Sequence, residues 1–320
     1  MGSGIVVQEL DKAGSAAAAG WVVVAIAGAA AGGAAFADGM AARLGEALAV
    51  GGGAALVSVE LSPGEAIEFA LDRLPEGDDP LAATRALLVA RPVDLALLPA
   101  AGRRKRLLVA DMDSTIVTVE TLDLIAEEAG IGDHVAAITR RAMNGEIDFA
   151  DALRERVGLL RDLDAGALER AHARTPLTPG ARRLVATMRA HGADAWLVSG
   201  GFTWFTEKVA AEAGFRVQRA NRLEVANGRL TGRVLEPILD RDAKVAALDE
   251  ACAGIGIGRE AAITVGDGAN DLPMLLAAGL GVAFHAKPSV AAAARVGITH
   301  GDLTALLWLQ GYRAEETREG

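Results

Sequence analysis

Four groups of residues in this 320-residue sequence have types and spacings that could do chemistry together. Asp111-Met112-Asp113-Ser114-Thr115 sets two carboxylates two positions apart, and Gly266-Asp267-Gly268-Ala269-Asn270-Asp271 supplies two more among small residues. Ser199-Gly200-Gly201 offers a hydroxyl beside unobstructed backbone amides, and Lys244 is a single cation opening a helical stretch. Three carboxylates brought together repel one another unless a hard divalent cation neutralises them, and oxygen ligands with water positions left open suit Mg2+. A lysine and such a cation beside a phosphoryl group spread and stabilise the charge of its transfer. Serine and glycine donors suit phosphate oxygens. One carboxylate can attack phosphorus to give an acyl phosphate. A second, two residues on, can protonate the leaving oxygen and then activate water.

The elements around these groups predict that they converge. Leu107 to Ala110, Ala195 to Val198, Ile263 to Val265 and Gly281 to Phe284 are short apolar runs. Each is followed by a polar loop and a helix signal, the pattern of a parallel sheet with helices on both faces, so a doubly wound α/β fold is expected. Ligands in such sheets sit beyond the carboxyl ends of the strands, where three of the four groups fall. Between the first two strands lies a helical insertion at about 118–179, with Gly130 ending one helix and Asp133 and Asp148 placed to cap the next two. Four inserted helices suggest a cap over the sheet's edge. Asn227-Gly228 between Arg222 to Val225 and Arg229 to Val234 predicts a hairpin.

Residues 1 to about 100 read as a separate small α/β unit. Strands are expected at Val22 to Ala27, Ala55 to Leu61 and Val93 to Leu98, and helices near Asp38 to Leu48 and Asp79 to Val89. No catalytic cluster shows there. Gly102 to Arg106 is a basic run, read as a solvated linker. Residues 13–37 carry no charge, but they are mostly Ala and Gly and lack a basic leader, so a strand and a Gly-rich turn are expected rather than a membrane span.

A formal net charge of -10 argues against a general nucleic-acid binder, yet leaves room for a small anionic substrate at a local cationic site. The single cysteine, Cys252, excludes an intrachain disulfide and fits a reducing, cytoplasmic setting. The five histidines show no metal-binding spacing, and Gly254-Ile255-Gly256-Ile257-Gly258 has no strand before it and reads as a turn rather than a dinucleotide loop.

These motifs, in this order, resemble those of the haloacid dehalogenase-like superfamily, and within it the phosphoserine phosphatases. The stretch from Asp111 to Gly130 is similar to that family's first motif and the helix after it. Leu197 to Phe202, Lys244 and Val265 to Leu275 match the later ones, and the likeness runs from about Arg103 to Tyr312. The resemblance implies a phosphatase domain at 103–320 carrying the helical cap, after an N-terminal α+β module at 1–102 of the amino-acid-binding ACT type. It implies hydrolysis of O-phospho-L-serine to L-serine and phosphate, the last step of serine biosynthesis, with Mg2+ as cofactor. Asp111 is then the nucleophile and Asp113 the general acid and base. The metal is held by Asp111, Asp267 and the carbonyl of Asp113. Phosphate is bound by Ser199, Gly200 and Lys244, with Asn270 and Asp271 completing the pocket.

The cap adds a reader for the substrate. Phe149, Leu153, Val157 and Leu160 form an apolar helical stripe, with Arg156 on the same face. A charge there is costly unless paired, and a guanidinium can grip a carboxylate with two parallel bonds. Glu120 opens the first cap helix, where a carboxylate is favoured by the helix dipole alone. The resemblance sets Glu120 against a substrate amino group and Arg156 against its carboxylate, with Met143 and Phe149 excluding water. A small-molecule substrate is the expected partner, with no nucleic acid and no membrane, and a homodimer stands as an open expectation. A receiver-like signalling module also combines clustered acids with a lysine, but has no use for Asp113 two residues after the nucleophile.

Overall fold

The computed structural model describes residues 20–28, 36, 39–50, 55–74, 79–143 and 146–320, without the side chains of 50, 55–57 and 143. The chain divides into two compact units, Met1–Lys105 with Val296–Arg318, and Arg106–Arg295 with Glu319–Gly320.

In the first unit, β1 (Trp21–Ala27), β2 (Ala55–Ser62), β3 (Ala66–Leu71) and β4 (Val93–Pro99) form an antiparallel sheet in the order β2-β3-β1-β4. Val23, Ala25, Ile67 and Phe69 alternate onto one face, where they pack with Met40, Leu44 and Leu48 of α1 (Met40–Val50) and with Leu81 and Leu88 around α2 (Ala82–Leu87). Strand β3 was not expected from the sequence, and α2 is shorter than the expected 79–89. Val22, Val24 and Ile26 are buried too, because β1 is covered on its other face. The chain's return supplies that cover: the wholly buried apolar helix Ala305–Leu309 packs on β1. Asp94 of β4 fastens this return by accepting the amides of Thr299, His300 and Gly301 at 2.8–2.9 Å.

The basic run is solvated at Gly102, Arg104 and Arg106, as charge alone suggests, but not at Arg103. Arg103 is nearly buried and pairs with Glu68 of β3 at 2.6 Å, while Arg104 meets Glu316 at 2.7 Å and lies over the Tyr312 ring. At Arg103 a buried partner, Glu68, overrides the usual solvation of a charge. Residues 51–54 and most of 13–37, with the Gly-rich turn expected there, lie outside the described residues. No helix among the described residues is long and apolar enough to cross a membrane.

The second unit is built on β5 (Leu107–Ala110), β6 (Asp194–Phe202), β7 (Val217–Ala226), β8 (Arg229–Leu235), β9 (Ala262–Gly266) and β10 (Leu280–Phe284). Strands β10-β9-β5-β6-β7 run parallel and β8 is added antiparallel to β7. The β7–β8 turn is Asn227-Gly228, both with positive φ, as a two-residue hairpin requires. Four helices, α3 (Thr121–Glu128), α4 (Gly132–Met143), α5 (Phe149–Gly158) and α6 (Gly166–His172), lie between β5 and β6, followed by α7 (Ala181–Ala190). Gly130 takes positive φ just past α3, and the Asp148 carboxylate caps α5 by accepting the Asp151 amide. Asp133, expected as a cap, sits one residue inside α4 instead. After β6 come α8 (Thr203–Ala213), α9 (Arg241–Gly254), α10 (Leu272–Ala277) and α11 (Pro288–Ala293). Leu107, Val109, Trp196 and Val198 of the strands pack with Leu248, Ala251, Cys252 and Met274 of the helices, so Cys252 is a core residue.

Candidate active site

The carboxyl ends of β5, β6 and β9 bring the sequence motifs together. Asp111 follows β5 directly, and its backbone amide donates to Val265 of β9 at 3.0 Å. Lys244 lies in the first turns of α9, whose N-terminus is capped by the Asp240 carboxylate. The Lys244 Nζ reaches Asp111 Oδ1 at 2.7 Å and Asp271 Oδ1 at 2.5 Å, and all three side chains are buried. Burial alone would lower the lysine's pKa, but the two carboxylates outweigh it and raise it, so the ammonium stays charged. Burial and the charge of Asp271 push Asp111 above its ordinary value while Lys244 pulls it back. Asp271 is fixed from its other oxygen by the Gly268 amide at 2.9 Å.

Asp267 lies beside this pair, partly buried. Burial, then Asp271 and Glu120, push it up to about 6. Single oxygens of Asp111, Asp267 and Asp271 fall within 4.8 Å of one another, a donor set for a hard cation. Thr115, which closes the first motif and has no role assigned from sequence, is buried with its hydroxyl 3.4 Å from Asp267.

Asp113 turns away from that cluster. Its Oδ1 accepts the Thr121 amide at 3.0 Å, and its Oδ2 is 3.5 Å from the Ser199 hydroxyl. Burial, then the charge of Glu120, push the Asp113 carboxyl up to about 7, inside the range where one group can both give and take a proton near neutrality. The backbone between the two aspartates and α3 is unusual: Ser114 takes positive φ, and its hydroxyl donates to Glu120 at 2.6 Å.

Ser199 and Gly200 do not sit in a loop as read from the sequence; β6 runs on through them to Phe202. The Ser199 hydroxyl oxygen accepts the Gly201 amide at 2.9 Å. Gly201 is required by close approach, since a Cβ there would stand 2.8 Å from Asp113 Oδ2. The Gly200 carbonyl accepts from the buried amide of Asn221, which also exchanges hydrogen bonds with the backbone of Leu239. Sequence reasoning missed Asn221; an amide in a β-rich run was the available signal.

The intervening helices face this crevice with fewer fixed contacts. The Phe149 ring lies where a Cβ on Gly200 would meet it at 3.2 Å. Asn270 is partly buried in the turn before α10. Glu120 is exposed. Arg156 is partly buried: its Nε donates to the Ala152 carbonyl at 3.2 Å and its Nη1 to the Thr139 hydroxyl at 3.4 Å. Burial lowers its pKa, with Asp123 and Glu120 acting in the opposite sense, and no carboxylate pairs with it directly among the described residues. Met143 closes α4, but its side chain lies outside those described.

The haloacid dehalogenase-like hydrolase family model matches residues 108–276. Over 257 residues the chain is 42% identical to a phosphoserine phosphatase of Streptomyces coelicolor, covering 79% of this chain and 62% of that one, so it spans less than two thirds of that relative. It is 48% identical over 199 residues to the phosphoserine phosphatase of Streptococcus thermophilus, covering 62% of this chain and 93% of the relative. A solved phosphoserine phosphatase with bound substrate superposes with a TM-score of 0.60 at 40% identity, covering 64% of this chain and 98% of that structure.

Proposed function

This chain belongs to the haloacid dehalogenase-like hydrolases, and from that premise we propose that it is a Mg2+-dependent phosphoserine phosphatase that cleaves O-phospho-L-serine through a phospho-aspartate at Asp111. The observation that carries the reading is the buried Lys244 ammonium, closed onto Asp111 at the carboxyl ends of parallel strands. Phosphoserine phosphatases 42% and 48% identical to this chain support the substrate.

In this reading an Asp111 oxygen attacks phosphorus and the bond from phosphorus to the seryl oxygen breaks. Asp113 delivers its proton to that leaving oxygen, giving serine. Asp113 then takes a proton from water as the water attacks the aspartyl phosphate, and phosphate leaves with Asp111 restored as a carboxylate. Lys244, the Ser199 hydroxyl and the backbone amide at Gly200 hold phosphate oxygens, with Asn270 beside them. Asp271 holds Lys244 in place. Asp111, Asp267 and the Asp113 carbonyl would hold Mg2+, which supplies positive charge against the phosphoryl group. The close, burial-strained carboxylates fit such a cation.

Helices α3–α6 serve as a cap over the crevice. Glu120 meets the substrate ammonium, Arg156 its carboxylate, and Phe149 and Met143 exclude water, which strengthens the charge interactions beneath them. The phosphatase domain is taken as 103–320 and the module at 1–102 as ACT-like. A cytoplasmic enzyme working on a small molecule, alone or as a homodimer, completes the proposal.

Phosphate release from O-phospho-L-serine, with Mg2+ and with excess chelator, and from phosphothreonine and a sugar phosphate, tests it. Metal-dependent preference for phosphoserine is expected. Metal-dependent turnover blind to the amino-acid part would discard the substrate, and no turnover at all would discard the enzyme.

A further inference from the structure

Arg156 is the cap's only cation in the proposed reader, yet its own contacts are sparse. A guanidinium has five N–H donors in one plane. Two are committed here, the Nε to Ala152 of the same helix and an Nη1 donor to Thr139 of the neighbouring helix α4. The first bond ties the guanidinium to its own helix turn. The second fixes the plane of the fork relative to α4.

Thr139 is set up to accept rather than donate. Its hydroxyl has one proton, which goes to the Val135 carbonyl at 3.0 Å. The lone pairs remain, and Arg156 is the donor beside them. Among the described residues no other side chain hydrogen-bonds this guanidinium, and Asp123 and Glu120 act on it only through space. The outer N–H groups of the fork therefore stay uncommitted, as bidentate capture of a carboxylate needs.

We propose that Thr139 is a specificity-positioning residue: its hydroxyl orients the Arg156 fork toward the carboxylate of an amino-acid phosphate. This rests on the reading of the chain as a phosphoserine phosphatase. The contribution belongs to binding, in ground and transition states alike, so it is read in KM more than in kcat.

The test compares the wild type with Thr139→Val, which keeps the shape and loses the acceptor, and Thr139→Ser, which keeps the acceptor. Each is assayed on phosphoserine and on p-nitrophenyl phosphate, which has no carboxylate. A KM for phosphoserine raised about tenfold in Thr139→Val, with kcat held and the aryl phosphate unaffected, is expected for loss of a hydrogen bond to a charged group. Thr139→Ser should restore KM. In an Arg156→Ala background Thr139→Val should add nothing. Equal losses on both substrates, no rescue by serine, or full additivity with Arg156→Ala would each overturn the role of Thr139. A wild type that fails to turn over phosphoserine would instead overturn the functional reading beneath it.

Discussion

The crevice beyond β5, β6 and β9 and the helices between β5 and β6 handle charge in opposite ways. In the crevice, Lys244 is already closed on Asp111 and Asp271, Asp271 is tied to the Gly268 amide, and Ser199 is tied to Gly201. Among the helices, Glu120 leans on a single hydroxyl and Arg156 on a backbone carbonyl and a long bond to Thr139. The first region is cross-tied by its own contacts, an arrangement that suits chemistry needing preorganised charge. The second leaves its charges sparsely paired, and in the proposed reading the ammonium and carboxylate of phosphoserine complete it. If the crevice catalyses and the helices select, as proposed, substitutions should pull the two apart.

The sharpest break is at the nucleophile. Asp111→Asn should cut phosphoserine and p-nitrophenyl phosphate turnover alike, on the order of 10⁴-fold or more. Near-normal kcat on either would remove Asp111 from its role. Lys244→Met comes next, because it strands two buried carboxylates: stability should fall by about 3–5 kcal/mol in denaturant titration, with activity on both substrates lost. Unchanged stability would show that the network is not closed as described. Arg156→Ala should separate the regions, lowering kcat/KM for phosphoserine about 100-fold while sparing the aryl phosphate. Equal losses would make Arg156 structural.

The smallest effect sharpens the comparison through pH. The native Asp113 carboxyl keeps its proton up to about 7, whereas an ordinary aspartate gives it up near 3.8. The native state therefore binds more protons across that window, and stability falls as pH rises through it. Asp113→Asn removes the effect. In metal-free protein its melting temperature should exceed the wild type's by several degrees at pH 8, with the gap closing toward pH 4. A gap that is the same at both pH values would contradict the perturbed carboxyl.

What the sequence disclosed follows from where information is local. Asp111, Asp267 and the hairpin at Asn227-Gly228 stand directly after apolar runs or between β-rich ones, and the folded chain has them at strand ends and in a turn with the required φ. Asp148 announced its own cap. What stayed hidden depends on partners far along the chain. Strand β3 is recognisable only once β1 and β2 flank it. Ser199 and Gly200 look like loop residues until Val198 and Phe202 on either side of them pair with β7 and Asn221 holds the Gly200 carbonyl. Arg103 reads as solvent-facing until Glu68 is set beside it. The acceptor role of Thr139 needs both the Val135 carbonyl below it and a guanidinium from another helix.

Asp94 gathers three amides from residues 299–301, so the first unit is sewn from both ends of the described chain. During synthesis the sheet of β1 to β4 emerges first, but the helix that covers β1 is translated only after every residue of the crevice, Asp111 to Asp271. One apolar face of that sheet must wait uncovered while the second unit is made, exposed to whatever chaperones the nascent chain. The same stitching gives proteolysis an unexpected reach: a cut shortly after Arg295 leaves every crevice side chain in one piece, yet turns the strap that covers the N-terminal sheet into a separate chain held by non-covalent contacts such as those to Asp94 and β1.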